Sequence, residues 1–143
     1  MIKEKTFIDF LRLVSPGMPL RTVINDLIRS GLGAMIIFDS PELNSQNIVE
    51  GGFRINSRFT PQKLFELCKM DGAIILSSDL KRILTANTLI NADASIHTKE
   101  TGTRHKASER AAKQANTFII TVSEKRNKTT LYHRASKYFL KTS

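Results

Sequence analysis

Two short stretches of the chain carry residue types that could do chemistry. The first is Thr101-Gly102-Thr103-Arg104-His105-Lys106-Ala107-Ser108-Glu109-Arg110-Ala111-Ala112. It opens with small and hydroxyl residues, passes through three basic or titratable side chains, and ends at helical spacing. A helix N-terminus presents unpaired backbone N–H groups and a positive dipole end, which suits a phosphate. Gly102 lets the backbone approach an anion closely, Thr101 and Thr103 add hydroxyl donors, and Arg104, His105 and Lys106 bring charge to the same place. The second stretch, Asp71-Gly72-Ala73, sets a carboxylate at the mouth of an apolar strand. Together they fit metal-assisted phosphoryl or nucleotidyl transfer. The carboxylate would hold a divalent ion or orient a hydroxyl, while the cations offset charge developing on phosphate oxygens. Each stretch also has a plainer reading: a surface helix with a solvated basic face, and an aspartate that merely ends a turn.

Other chemistries lack their residues. His97, His105 and His133 lie far apart and do not have zinc-ligand spacing. There is no Walker-type glycine loop, no Rossmann fingerprint and no serine or cysteine nucleophile constellation. The single cysteine, Cys68, excludes a disulfide framework and falls on the apolar side of an expected helix.

The elements that must position these residues alternate in type. Residues 6–14 read as a short helix, broken by Ser15-Pro16-Gly17-Met18-Pro19. A second helix runs from Leu20 to Ser30 with Gly31 as its stop. Ala34–Phe38 is a continuous apolar run, the mark of a strand buried on both faces. Residues 39–52 read as loop, with Gly51-Gly52 turning into a strand at Phe53-Arg54-Ile55. Thr60-Pro61 opens a third helix, and Ala73–Leu76 is a second buried strand. A turn at 77–80 leads to a returning strand over 81–87. A polar connection over 91–99 feeds the basic helix of residues 104–115, closed by Asn116-Thr117. Phe118–Val122 is a third buried strand, residues 123–128 a polar turn, 129–133 its partner, and 138–140 a short edge strand. The expected fold is a single α/β domain with a central mixed sheet flanked by helices.

At 143 residues one domain spans the chain, long enough to bury a real core. No apolar run approaches membrane-spanning length, and the start does not read as a signal peptide, so a cytoplasmic location is expected. The net charge of +9 is lopsided: residues 99–143 hold 11 Lys and Arg against 3 Asp and Glu. Such a field favours an anionic partner, whether nucleotide, nucleic acid or acidic surface.

Read together, several motifs resemble a known family. They are Ser15-Pro16-Gly17-Met18-Pro19-Leu20-Arg21, Glu50-Gly51-Gly52-Phe53-Arg54-Ile55 and the run from Leu67 to Leu76. The others are Glu100 to Ala107 with Glu109 to Gln114, and Ser123-Glu124-Lys125-Arg126-Asn127. The chain resembles the diadenylate cyclase domain family, closest to its DNA-integrity scanning branch, from about Phe7 to Leu140. The resemblance implies condensation of two ATP molecules into cyclic di-AMP and two pyrophosphates. It implies Asp71, Arg104 and His105 as catalytic residues, with Asp71 and His105 at a divalent metal, Mg2+ or Mn2+. Gly72, Ala73, Ile90, Thr103, Arg104, His105, Lys106, Ala107, Ser123 and Glu124 would contact the nucleotide, Ile90 at the adenine. Each protomer would hold one ATP, so catalysis requires a homo-oligomer with active sites face to face.

Two departures from the family pattern stand out. Lys106 occupies a position where the family usually has arginine, keeping the charge but losing the planar two-pronged donor. The branch also continues into helical and helix-hairpin-helix DNA-binding domains, whereas residues 1–143 are expected to be the cyclase domain alone, without DNA binding of its own. The alternative function is a degenerate domain that binds nucleotide or nucleic acid through the basic residues 99–143. Few aromatic residues interleave with those cations, which weakens the nucleic-acid version.

Overall fold

A computed structural model describes residues 6–125 and 128–141 of the chain. The helices begin where their capping residues place them. Helix α1 (Phe7–Leu13) opens with a reciprocal capping box: the Thr6 hydroxyl accepts from the Asp9 N–H at 3.2 Å, and the Asp9 carboxylate accepts from the Thr6 N–H at 2.9 Å. Helix α2 (Pro19–Arg29) starts on a proline and buries Leu20, Val23, Ile24 and Leu27 along one face. Helix α4 (Pro61–Leu67) follows the short α3 (Pro41–Ser45), and Thr60 caps it by accepting from the Lys63 N–H at 3.1 Å.

The strands are β1 (Ala34–Phe38), β2 (Val49–Glu50), β3 (Phe53–Arg58), β4 (Ala73–Leu76) and β5 (Arg82–Ile90), then β6 (Phe118–Ser123), β7 (Lys128–His133) and β8 (Ser136–Leu140) after helix α5 (Thr103–Ala115). They form one sheet in the order β2-β5-β4-β1-β6-β7-β8, with β3 also paired to β5. Only β1 and β4 run parallel; the other pairs are antiparallel. Every residue of β1 and β4 is buried, as continuous apolar runs require when helices cover both faces of a sheet.

The two faces are distinct cores. On one, Phe10 of α1, Leu20, Val23, Ile24 and Leu27 of α2, and Leu64 of α4 pack on Ile36, Ile74, Ile120 and Leu131. On the other, Leu43 of α3 and Ala111, Ala112 and Ala115 of α5 pack on Met35, Ile37, Ala73, Ile75, Ile119 and Tyr132. Three alanines on its buried side let α5 lie close against the sheet. Arg21, only 6% exposed, ties the first layer to the chain just after the last strand. Its guanidinium donates to the Val14 carbonyl at 3.0 Å and to the Lys141 carbonyl at 2.7 Å.

The mixed sheet and its flanking helices match the expected fold class, with local differences. Residues 39–52 are not all loop: Pro41–Ser45 make a helix too short to show periodicity, and Val49–Glu50 pair with Ile90 and Leu89. Strand β5 continues past Asn87 to Ile90, because Asn87 adopts φ 56° and forms a bulge rather than an end. Strand β8 starts at Ser136, two residues before the expected 138. Residues 126–127 of the expected polar turn lie outside the described residues. Among those described, no helix is long and apolar enough to cross a membrane.

Cys68 caps α4 inside the first core, 5% exposed, and burial pushes its thiol up to about 12 from an ordinary value of 9.0. The folded chain therefore keeps a proton that the unfolded chain loses, so the thiol's contribution to stability falls as pH rises from about 9 toward 12. Alkylation of Cys68 by iodoacetamide at pH 8 is expected to be far slower in buffer than in 8 M urea (a denaturing level, about twice a common midpoint). Equal rates would contradict its burial.

Candidate active site

Asp71 and Gly72 form the turn between α4 and β4. Gly72 has φ +89°, and a Cβ placed there would come within 2.9 Å of the Asn87 carbonyl carbon and 3.0 Å of the Asn87 Cα. The turn is thus pressed directly onto the β5 bulge, where only a residue without a side chain fits. Asn87 completes the junction by donating from its amide nitrogen to the Asp71 carbonyl at 2.7 Å. Gly52 closes the bulge from the opposite edge: a Cβ there would meet the Ala86 carbonyl oxygen and the Thr88 hydroxyl, each at 2.7 Å. Gly51 and Gly52 therefore carry the chain from β2 to β3 past the bulge, the turn role their position predicts. The result is an aspartate whose backbone is fixed and whose residue is exposed to solvent.

The cationic stretch begins α5. Gly102 is its N-cap, no side chain among the described residues caps this end, and the first turn contains no acidic residue. The first intrahelical bond runs from the Lys106 N–H to the Gly102 carbonyl at 3.1 Å. A helix end of this kind directs backbone donors and dipole at whatever anion approaches. The turn behind it is anchored from inside. The Ser108 hydroxyl, fully buried, donates to the Arg104 carbonyl at 2.8 Å and shares a 2.6 Å hydrogen bond with the Thr121 hydroxyl of β6.

Later turns of α5 hold the connection that leads into its own start. Gln114 accepts from the Asp93 N–H at 2.8 Å, Arg110 donates to the Ile96 carbonyl at 2.9 Å, and Lys113 donates to the His97 carbonyl at 3.2 Å. Lys137 of β8 pairs with Glu100, two residues before Gly102. That hydrogen bond raises the Lys137 ammonium above its usual range. Bonds from Ser95, backbone first and then hydroxyl, lower the Asp93 carboxyl. Burial, followed by the charges of Glu100 and Glu109, raises the Tyr132 hydroxyl, so it stays neutral beneath this region.

Strand register joins the two stretches. Met35 pairs with Ala73, and Ala34 pairs with Val122. The next residues outward, Gly33, Gly72 and Ser123, therefore line one end of the sheet. Ala73 also pairs with Thr88, which brings Asp71 level with Ile90 on β5. Arg104 reaches the same end, its guanidinium lying over Gly33 beside the Val122 carbonyl. Ala73 is buried there and packs in the second core, with half-buried Ile90 and Ala107 against it. Thr103, Arg104, Lys106 and Glu124 are exposed, and His105 and Ser123 are half-buried. All the candidate residues gather at this end, while Arg126 and Asn127 of the adjoining motif lie outside the described residues. Sequence reasoning did not single out Gly33, Ser108 and Thr121. Gly33 does precede a buried strand, but nothing local shows what lies over it.

A divalent ion fits this donor set as a shared ligand. Among the described residues, no group of three or more His, Cys, Asp or Glu side chains could enclose a metal by itself. An exposed carboxylate on the same end of the sheet as a cationic helix start is instead suited to Mg2+ held by one or two carboxylates plus phosphate oxygens.

The family described as "DisA bacterial checkpoint controller nucleotide-binding" matches residues 21–137. The DNA integrity scanning protein DisA of Clostridium botulinum (strain Loch Maree) is 44% identical over 142 residues, 99% of this chain and 40% of its own length. That of Bacillus pumilus is 46% identical over 139 residues, 97% of this chain and 38% of its own. The chain thus spans about two fifths of these curated relatives. Two solved structures share the fold. A hypothetical membrane spanning protein from Bacillus cereus superposes with a TM-score of 0.74 at 22% identity, covering 87% of this chain and 62% of its own. A double mutant of DacA from Staphylococcus aureus superposes with a TM-score of 0.71 at 20% identity, covering 94% and 90%.

Gly72→Ala tests the junction between Asp71 and the bulge. Positive φ and the 2.9 Å approach to backbone together are expected to lower stability by about 1–3 kcal/mol, read by urea unfolding. An unchanged midpoint would mean that the turn is not pressed on Asn87.

Proposed function

Because the chain belongs to the DisA bacterial checkpoint controller nucleotide-binding family, we propose that it is a diadenylate cyclase domain, a nucleotidyltransferase that joins two ATP molecules into cyclic di-AMP with release of two pyrophosphates. The observation that carries this reading is the meeting of one exposed carboxylate, Asp71, with an uncapped cationic helix start at one end of the sheet.

In the reaction, the 3′-hydroxyl oxygen of each ATP forms a bond to the α-phosphorus of the other. The bond from that phosphorus to the β-phosphate bridging oxygen breaks, and the electron pair leaves with pyrophosphate. Each hydroxyl proton is released as the new ester forms. Asp71 and His105 would hold Mg2+ or Mn2+ together with phosphate oxygens. Such an ion, when bound, neutralises phosphate charge and makes the hydroxyl easier to deprotonate. Thr103 and the first turn of α5 receive the phosphates, and Arg104 and Lys106 balance the charge that grows on the departing pyrophosphate. Ser123 and Glu124 border the phosphates from the β6 end. Gly72 and Ala73 lie along the nucleoside, with Ala107 behind the phosphate turn and Ile90 against the adenine. Little covalent work falls to the protein; positioning and charge supply most of the rate.

One ATP per protomer requires two chains to face each other. Met70 and Leu89, exposed large apolar residues beside Asp71 and Ile90, suit that contact. The charge asymmetry favours a second reading, a domain that binds nucleotide or nucleic acid without turnover.

Incubation with ATP and Mg2+ or Mn2+, with products resolved by chromatography, separates the two readings. Cyclic di-AMP is expected, with loss on the order of a hundredfold or more in a folded Asp71→Asn variant. ATP binding with no product from the unmodified chain would favour the second reading. Lys106→Arg restores a two-pronged phosphate donor and is expected to raise kcat/KM by about tenfold. An unchanged value would show that Lys106 contributes only potential.

A further inference from the structure

Of the seven glycines in the chain, six have positive φ and are accounted for by their backbone. Gly33 is the exception: its φ lies outside the left-handed region, so its conformation is open to any residue. What is particular about it is the space its missing side chain leaves. A Cβ at Gly33 would stand 2.3 Å from Nη1 and 3.1 Å from Cζ of Arg104, and 3.2 Å from the Val122 carbonyl oxygen. The Arg104 guanidinium occupies the volume that any other residue would fill.

The location gives this contact a consequence. Gly33 ends the loop before β1 and, just beyond the paired residues, lies in line with Asp71 on one side and Ser123 on the other. Arg104 projects from the first turn of α5, which the buried Ser108 hydroxyl ties to β6. The root of the arginine is therefore held by the helix, and its tip is received by the strand end. A long side chain at an exposed position otherwise samples many rotamers, and fixing it against a flat backbone surface removes that freedom before the substrate arrives.

We propose that Gly33 is a positioning residue: its bare backbone is the seat that aims the Arg104 guanidinium at the phosphate site. The inference rests on the nucleotide reading of that site. It separates fold from function in a specific way. The obstructing atoms in a Gly33→Ala chain belong mostly to the far end of a flexible side chain, so the fold yields by turning Arg104 outward, and the site loses its aim.

The test uses Gly33→Ala, Arg104→Ala and the double variant. Thermal unfolding is measured with calorimetric binding of the α,β-methylene analogue of ATP in Mg2+ and with cyclic di-AMP formation. Gly33→Ala is expected to keep the unfolding temperature within a few degrees, weaken analogue binding about tenfold and lower kcat on the order of a hundredfold. The double variant should bind and turn over no worse than Arg104→Ala alone, because both changes remove one interaction. Wild-type binding and turnover in Gly33→Ala would overturn the proposal, as would losses that multiply in the double variant. If Gly33→Ala lowers the unfolding temperature strongly, the double variant decides. Recovery on removing the guanidinium supports the seat, and no recovery assigns the clash to the Val122 backbone and overturns it. An unmodified chain that neither binds the analogue nor forms product would instead sink the nucleotide reading.

Discussion

Strand β1 pairs in parallel with β4 and antiparallel with β6, and those two registers are the constraint on which the rest depends. A parallel neighbour starts at the same end as β1, whereas an antiparallel neighbour finishes there. The turn before β4, the loop before β1 and the residues after β6 consequently share one end of the sheet. A slip of one residue in either ladder would turn Met35, Ile37, Ala73 and Ile75 out of the second core and Ile36 and Ile74 out of the first. Burial on both faces therefore fixes the register, and the register fixes which polar residues meet at the end.

The site residues hang on this frame by short, mostly polar links. The β5 bulge at Asn87 is gripped between Gly52 and Gly72, so Asp71 inherits the rigidity of two strands without being buried itself. On the other side, α5 lies close to the sheet through its alanines and is locked at its first turns by Ser108 and Thr121. The same helix then uses Arg110, Lys113 and Gln114 to hold residues 93–97 in place. Cations that would repel one another around the start of α5 are thereby divided in role. Arg110, Lys113 and Lys137 are engaged in structural bonds, and Arg104 and Lys106 stand at the helix start.

Much of this was legible in the chain. Buried strands announce themselves as Ala34–Phe38, Ala73–Leu76 and Phe118–Val122 because apolar runs between turn residues have few other uses. Thr60-Pro61 and the Thr6 capping box mark helix starts through local hydrogen bonds that need no tertiary partner. Asp71-Gly72-Ala73 and the stretch from Thr101 to Lys106 could be recognised for the same reason: each is a local arrangement of donors, charge and backbone freedom. Helix α3 was missed because five residues show no periodicity, although Ser40-Pro41 is a fair start signal. The extension of β5 was missed because asparagine with positive φ marks a turn as readily as a bulge.

By itself the sequence determined the α/β class, the principal elements and the chemical character of both stretches, since these depend on periodicity, capping and residue type within a few positions. Only the tertiary structure decided that the two stretches meet, that Gly72 is pressed on Asn87, that Ser108 reaches Thr121, and that Gly33 underlies Arg104. Those contacts join residues 13 to 71 positions apart in sequence, counting Ser108 to Thr121 as the shortest and Gly33 to Arg104 as the longest. They follow from strand register and from how near a helix can lie to a sheet, and neither quantity is written in any local run of residues.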